Sequence, residues 1–343
     1  MHLDPFVALS GFIVGVVVGM TGMGGGALMT PILVLLFNVN PLAAVSSDLV
    51  ASMVMKPVGA GVHLRRGTVR IDLVRWLMVG SVPAAFAGVF VLRAFGTGRA
   101  AAFDLELALG ATLLLSASLI VGKGWLATRR RRVEGGGLAG RRPLRVRPLP
   151  TVAIGIAGGL IVGMTSVGSG SLIIVALMLV YPSLAASELV GTDLTQAVPL
   201  VASAAVAHIL FGDFRLGLTA SLLLGSLPGV FLGARMSSRA PDGVIRPALV
   251  FVLLASALRL LGMPTSVLGP VLLGIVLAGL PAWALVDAAG WPRELWARAG
   301  LDRRRWIGLQ AAPAAGPIAY FAAARPRLAA AAVDRDRVER EVA

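Results

Sequence analysis

Five ionisable side chains stand inside long apolar runs of this sequence, Asp48 and Lys56 in one run and Glu188, Asp193 and His208 in another. A charged residue at the centre of a spanning helix costs about 2.5 to 3.5 kcal/mol on insertion scales, so such groups are functional suspects. Lys56 is the first candidate for an anion ligand, since packing alone does not explain a lone cation well inside a span. Snorkelling toward the nearer interface is the alternative. Asp48 and Lys56 lie eight residues apart, which on a helix is about 12 Å along the axis and about 80° around it. They cannot pair directly within one helix, and each needs a partner elsewhere. Asp48 and Asp193 both occur in an [ST]-D-L pattern and are read as structural or coupling residues, bracing broken segments without necessarily meeting substrate. Thr195 and Gln196 offer uncharged hydrogen bonds from the same region as Asp193. His63 and His208 lie at run ends beside Gly67 and Gly212, where an interfacial or capping histidine is commoner than a proton relay. Arg70 and Arg215 read as interface anchors.

A second group of candidates is made of small residues. The stretch GMTGMGGGALMTP, residues 19 to 31, places five glycines in an apolar run, three of them consecutive at Gly24, Gly25 and Gly26. Glycine in a helix interior costs about 1 kcal/mol relative to alanine, so three in a row break or loosen the helix. Unwound backbone at membrane depth survives where protein buries it or where it lines a polar cavity. It also leaves free N–H groups at the start of the next half-helix, where the helix dipole favours an anion. A later stretch, VGMTSVGSGS, repeats the pattern with Thr165, Ser166, Ser169 and Ser171 as further donors, and Thr21 is the equivalent of Thr165. The alternative is that Gly and Ser only let helices approach closely. A dinucleotide fingerprint or a P-loop is excluded, because no βαβ context surrounds the glycines and no Gly-Lys-Ser/Thr follows.

The elements that must position these residues are membrane spans. The chain has 343 residues, 57% of them hydrophobic and 14% charged, and its apolar runs are long enough to cross a bilayer. They fall at 6–37, 41–62, 71–92 and 104–122, then at 150–180, 185–210, 217–236 and 245–262, with two more at 267–287 and 307–324. Zero cysteines exclude disulfides, thiol catalysis and cysteine-bound zinc, and three histidines leave little room for a histidine-rich metal site. No cofactor is expected. The net charge of +14 gathers between runs, above all from Lys123 to Pro148, where nine basic residues face Glu134 alone. Such a loop stays cytoplasmic and orients its neighbours, so the expected partners are the bilayer and a small anion, with no nucleic acid. The first residues lack a basic n-region and are read as a first span rather than a signal peptide.

The two groups of four runs are copies. VGMTGMGGG (Val18 to Gly26) aligns with VGMTSVGSG (Val162 to Gly170) at an offset of 144. At an offset of 145, His63 pairs with His208, Gly67 with Gly212, Arg70 with Arg215, Gly80-Ser81 with Gly225-Ser226, Pro83 with Pro228 and Gly88 with Gly233. Duplicated multi-span chains are typical of secondary transporters, which bind substrate between the halves. The 32 residues of 6–37 would make about 48 Å of helix, too long for one upright span and short for two. A single broken crossing makes the copies parallel; a segment that dips in and returns makes them inverted. The expected fold is therefore an all-α polytopic membrane protein. Repeat 1 occupies 1–122, a basic cytoplasmic linker 123–149, repeat 2 150–262, a C-terminal two-span hairpin 263–327 and a solvated tail 328–343.

The stretches GMTGMGGGALMTPILVLL, NPLAAVSSDL, GTVRIDL and GSVPAAFAGVFV, with GMTSVGSGSLIIVALML and GTDLTQAVPLVASAAVAHILFGDFR in the second copy, resemble the TauE/SafE family of sulfite and organosulfur anion exporters over about residues 6 to 262. The resemblance implies a multi-pass inner-membrane protein that moves small anions such as sulfite or sulfonates outward; the alternatives are a non-transporting membrane scaffold and an intramembrane enzyme, and no enzyme is expected because His-Glu-x-x-His and Gly-x-Ser-Gly signatures are absent. Homo-oligomerisation is left open. The stretch from Val271 to Leu328, with its LVD, GPIAYF and RP, resembles the two-span membrane module found ahead of phospholipase D-type domains. The His-x-Lys motif of those enzymes does not occur, since the residues two after His2, His63 and His208 are Asp4, Arg65 and Leu210.

Overall fold

The computed structural model describes residues 4–21, 25–94, 98–133, 146–236, 242–312 and 315–342, and every regular element among them is helical. The first copy comprises α1 (Pro5–Thr21), α2 (Gly26–Leu35), α3 (Pro41–Arg65), α4 (Ile71–Ala94) and α5 (Arg99–Val133). The second comprises α6 (Pro148–Thr165), α7 (Leu172–Val180), α8 (Ala186–Phe211), α9 (Leu216–Met236) and α10 (Asp242–Leu260). Then follow α11 (Thr265–Gly290), α12 (Arg293–Arg298), α13 (Arg303–Leu309), α14 (Ala315–Ala319), a π-helical turn (Tyr320–Ala324) and α15 (Arg325–Val342). Seven helices among the described residues are long and apolar enough to cross a membrane, and the protein is a polytopic membrane protein. Local chemistry sets several boundaries. Pro41 and Pro148 open α3 and α6, where a missing N–H costs nothing, and the Asn40 side chain accepts from Leu42 N to cap α3.

The chain groups into two compact units. The first holds residues 1–119, 142–240 and 256–262, and small residues assemble it. Helix α1 packs along α9, and α6 along α4, so the first helix of each copy lies on the fourth helix of the other. Glycines at four-residue spacing line both seams. A Cβ on Gly11 or Gly15 would meet the backbone of Leu222 and Ser226, and one on Gly225, Gly229 or Gly233 would strike the carbonyls of Ala8, Phe12 and Val16. The same ladder recurs at the other seam. There Gly80 faces Val152, and Gly155, Gly159 and Gly163 face the carbonyls of Leu77, Ser81 and Ala85. Lipid tails give helices no hydrophobic reason to associate, so close backbone contact of this kind must supply the dispersion energy. Large apolar side chains such as Phe6, Ile13, Val79 and Phe231 stay on the outside.

Contact registers fix helix directions. Along both seams residue numbers rise together, so α1 runs parallel to α9, and α6 parallel to α4. Helix α3 meets α8 the opposite way, with Ser46 at His208, Gly59 at Leu194 and His63 beside Gly191. Helix α4 runs with α8, since Ser81 bonds Gln196, Ser203 bonds the Val82 carbonyl and Phe90 packs on Phe211. It follows that α6 and α8 point the same way. The chain between them must double back, so α6 and α7 enter and return rather than crossing once.

The second unit holds residues 120–141, 241–255 and 263–343. Its centre is an aromatic cluster of Trp291, Trp296, Tyr320 and Phe321 with Ala284, Ala288, Ala324 and Leu328. Asp287 Oδ2 accepts from Tyr320 OH at 2.7 Å, from Arg325 Nε at 3.2 Å and from Trp291 Nε1 at 3.4 Å, so its charge is met within the unit. The expected pair of spans appears differently. Helix α11 is a full span, whereas 307–324 is shared between α13 and the helical run that starts at Ala315. Gly316 lies so close to the Leu309 carbonyl that a side chain would overlap it, and Pro317 supplies no N–H. The expected solvated tail is helical through Val342.

Candidate functional site

The junction between α6 and α7 lies at mid-height of α3 and is built from strained backbone. Ser166 adopts a left-handed conformation with φ of 58°, and Gly168 and Gly170 have φ of 114° and 103°, values that glycine tolerates and other residues resist. Thr165 Oγ1 stabilises the end of α6 by donating to the Ile161 carbonyl at 2.7 Å and accepting from Val167 N at 3.2 Å. Helix α7 starts with Leu172 N donating to the Gly168 carbonyl at 3.0 Å. Among the described residues, no acceptor faces the N–H groups of Gly168, Ser169 and Gly170.

Helix α3 reaches this junction twice. Lys56 Nζ donates to Ser169 Oγ at 2.6 Å, and Asp48 Oδ2 accepts from Ser166 Oγ at 2.6 Å. The same Asp48 oxygen takes a second bond from Thr30 Oγ1 of α2 at 3.1 Å. One carboxylate thus ties the half-helix of the first copy to the break of the second. Lys56 is 7% exposed and Asp48 fully buried, so the ammonium does not snorkel out of the bundle. Among the described residues, Asp48 Oδ1 and the buried Ser52 Oγ have no hydrogen-bond partner. Both lie near Gly25, at 4.0 and 3.9 Å from where its Cβ would stand.

Gly26 has a different role from Gly25. A Cβ on Gly26 would overlap the Ser166 carbonyl, so this glycine lets the two junctions touch. Gly24 lies outside the described residues, as does the side chain of Thr21. Gln196 is buried on α8, accepting from Ser81 Oγ of α4 at 3.1 Å and donating to Asp193 Oδ1 at 3.2 Å. Ser171 Oγ donates to Ser116 Oγ of α5 at 3.1 Å. Thr195 is turned to its own helix, where its hydroxyl donates to the Gly191 carbonyl at 2.7 Å.

His208 borders this cluster, and the other candidates lie away from it. His208 is fully buried, with Nε2 donating to the Gly163 carbonyl at 2.7 Å and Nδ1 bonded to Ser46 Oγ at 2.8 Å. Its mate His63 is partly exposed and bonds Thr68 Oγ1 at the turn after α3. Glu188 sits in the first turn of α8 rather than deep in a span, where it accepts from Ala185 N and pairs with Arg70 at 3.6 Å. Arg215 pairs with Asp213 at 3.1 Å on the exposed surface. No group of three or more His, Asp or Glu able to hold a metal occurs among the described residues.

Sequence reasoning passed over Thr30, Ser52 and Ser81. Ser52 stands four residues after Asp48, on the same helix face, which was the one signal available. Hydroxyls within an apolar run otherwise read as packing.

Comparison with known proteins gives a consistent picture. The family model described as sulfite exporter TauE/SafE matches residues 7–260. A probable membrane transporter protein of Bacillus subtilis (strain 168), YjnA, is 37% identical over 256 residues, covering 74% of this chain and 98% of that protein. A second from the same strain, the probable membrane transporter protein YdhB, is 26% identical over 253 residues, covering 73% of this chain and 97% of its own length. No solved structure matches the chain.

Proposed function

This chain belongs to the sulfite exporter TauE/SafE family and is a multi-pass membrane transporter, not an enzyme; we propose that its cargo is a small oxyanion held at the α6–α7 junction between the two copies. The observation that carries this reading is the buried bond from Lys56 to Ser169, at a backbone break whose N–H groups lack acceptors among the described residues. A sulfite or sulfonate group presents three oxygen acceptors on one tetrahedral head. Lys56 supplies an ammonium with rotatable donors, Ser169 a hydroxyl, and the start of α7 a partial positive charge with free N–H groups. The family description, sulfite exporter, supports sulfite or a related sulfonate as the substrate and export as the direction.

The mechanism follows from topology. Equivalent helices α3 and α8 pass antiparallel, and α6–α7 enters and returns, which supports two inverted copies around a common centre. Inverted copies give a bundle two conformations of similar energy, each opening the centre to a different side. The basic linker at 123–149 supports placement in a cytoplasmic membrane with that loop inside. The second unit, with its own aromatic core, reads as an added membrane anchor.

The test is uptake of labelled sulfite and of a short sulfonate by proteoliposomes. Saturable flux in the native chain that collapses in Lys56→Ala, with the variant shown to be folded, is the expected result. Undiminished flux in that variant, or no flux of any small anion under any gradient, would overturn the reading.

A further inference from the structure

The buried charges of the first unit do not balance. Among the described residues of this unit, the buried charged side chains are Asp48, Asp193 and Lys56, two carboxylates against one ammonium, and the imidazole of His208 and the phenol of Tyr181 are buried as well. Lys56 lies within electrostatic range of both carboxylates. A monoanion arriving at Lys56 would raise the excess negative charge from one to two in a region with little water, where Coulomb repulsion is weakly screened. Binding of the anion therefore requires a positive charge to arrive with it.

One group is placed to receive that charge. Asp48 Oδ2 is saturated by Thr30 and Ser166, while Oδ1 has no donor among the described residues although Asp48 is fully buried. Four residues on, Ser52 Oγ is also buried and lacks a partner among the described residues, so it is available to accept from a protonated carboxyl. Both atoms border the place where a Gly25 Cβ would stand, and the nearest group there is the flexible end of Met55 at 3.2 Å. The other groups facing Asp48 are hydroxyls from α2 and from the junction, and Lys56 two turns further along α3. Asp193 differs, because Gln196 donates to it and further contacts engage it.

Resting on the anion site just described, we propose that Asp48 is the coupling residue: it takes up one proton at Oδ1 as one monoanion binds at Lys56 and Ser169, and both are released on the other side. The loaded centre then carries the same net charge as the empty one. One proton and one anion move together, and the cycle is electroneutral. Asp48 is suited to this because Ser166 and Ser169 belong to the same break, so the proton site and the anion site share one moving piece of backbone.

The experiment uses the full chain in proteoliposomes with a labelled short alkylsulfonate, whose charge does not change with pH as that of sulfite does. Counterflow exchange without any imposed gradient is measured first, and its absence removes the anion-site reading itself. With exchange present, a pH gradient is expected to drive accumulation, with one proton per anion by an internal pH dye and no response to a potassium–valinomycin voltage. Accumulation driven by a sodium gradient, or anion movement without proton movement, overturns the proposal and leaves the anion site standing. Asp48→Asn is expected to abolish the response to the pH gradient and to make the flux that remains voltage-sensitive. Asp193→Asn is expected to keep the response, and the reverse pattern would overturn the assignment. Should Asp48→Asn not fold, the stoichiometry of the native chain and the Asp48→Glu variant, expected to stay proton-coupled, still decide it.

Discussion

The α1–α2 and α6–α7 junctions come from one repeated pattern and meet opposite chemistry. Where α2 starts, Gly25 faces Asp48 and Ser52, and Gly26 is pressed against the Ser166 carbonyl. Where α7 starts, Ser169 takes a hydrogen bond from Lys56, and three N–H groups have no acceptor among the described residues. A carboxylate beside the first half-helix offsets its dipole, while an ammonium beside the second adds to it. The two junctions therefore share a sequence pattern and differ in their partners: Asp48 reaches both, and Lys56 reaches the second. The mate of Lys56 is Val201, and the mate of Ser169 is Gly25, so the asymmetry arises from a few side chains.

This contrast can be broken or sharpened by substitution. The largest effect is expected from Gly26→Val, whose side chain must overlap the Ser166 backbone; a loss of about 3 kcal/mol or more is expected, read as a lower thermal midpoint in detergent. Gly25→Ala should lose less than about 1 kcal/mol, because the nearest obstacle is the mobile end of Met55. Equal losses at the two positions would erase the distinction between them. Lys56→Met removes a charged donor worth about 1.5 to 3 kcal/mol and should raise the half-saturating anion concentration by about 10- to 100-fold. Ser169→Ala, which removes a neutral hydroxyl, should raise it by only about 2- to 10-fold, measured in the same flux assay.

On the brace side, Thr30→Val should cost about 1 kcal/mol of stability through loss of a donor to Asp48, and it should leave anion affinity nearly unchanged. A large affinity change there would mean the two junctions act as one site. The smallest effect belongs to Arg215→Ala, where an exposed ion pair is worth about 0.5 kcal/mol or less, a difference readable in a denaturation midpoint.

Much of the architecture was legible because the bilayer imposes local rules. The expected runs 41–62 and 71–92 correspond to α3 and α4, and 185–210 and 217–236 to α8 and α9, since each span must satisfy its own backbone and carry its own apolar length. The long run 6–37 carries two helices, α1 and α2, on either side of its glycines. Lys56, Asp48, Ser166 and Ser169 stood out for the same reason, as polar groups in a solvent that penalises them. Less legible were Thr30 and Ser52, whose hydroxyls are cheap to bury. The stretch 307–324 misled, because apolar composition does not reveal that Gly316 must touch the Leu309 backbone.

The sequence by itself determined the membrane class, the duplication and the family, because hydropathy and residue identities at fixed offsets are properties of the chain alone. Tertiary structure decided which break receives the lysine, that Asp48 joins both copies, and that α3 and α8 pass in opposite directions. Glycine ladders such as Gly155, Gly159 and Gly163 announce a close partner without saying which helix it is or which way that helix runs. Small residues permit many tight contacts, and the choice among them is made by packing all the helices of the unit at once.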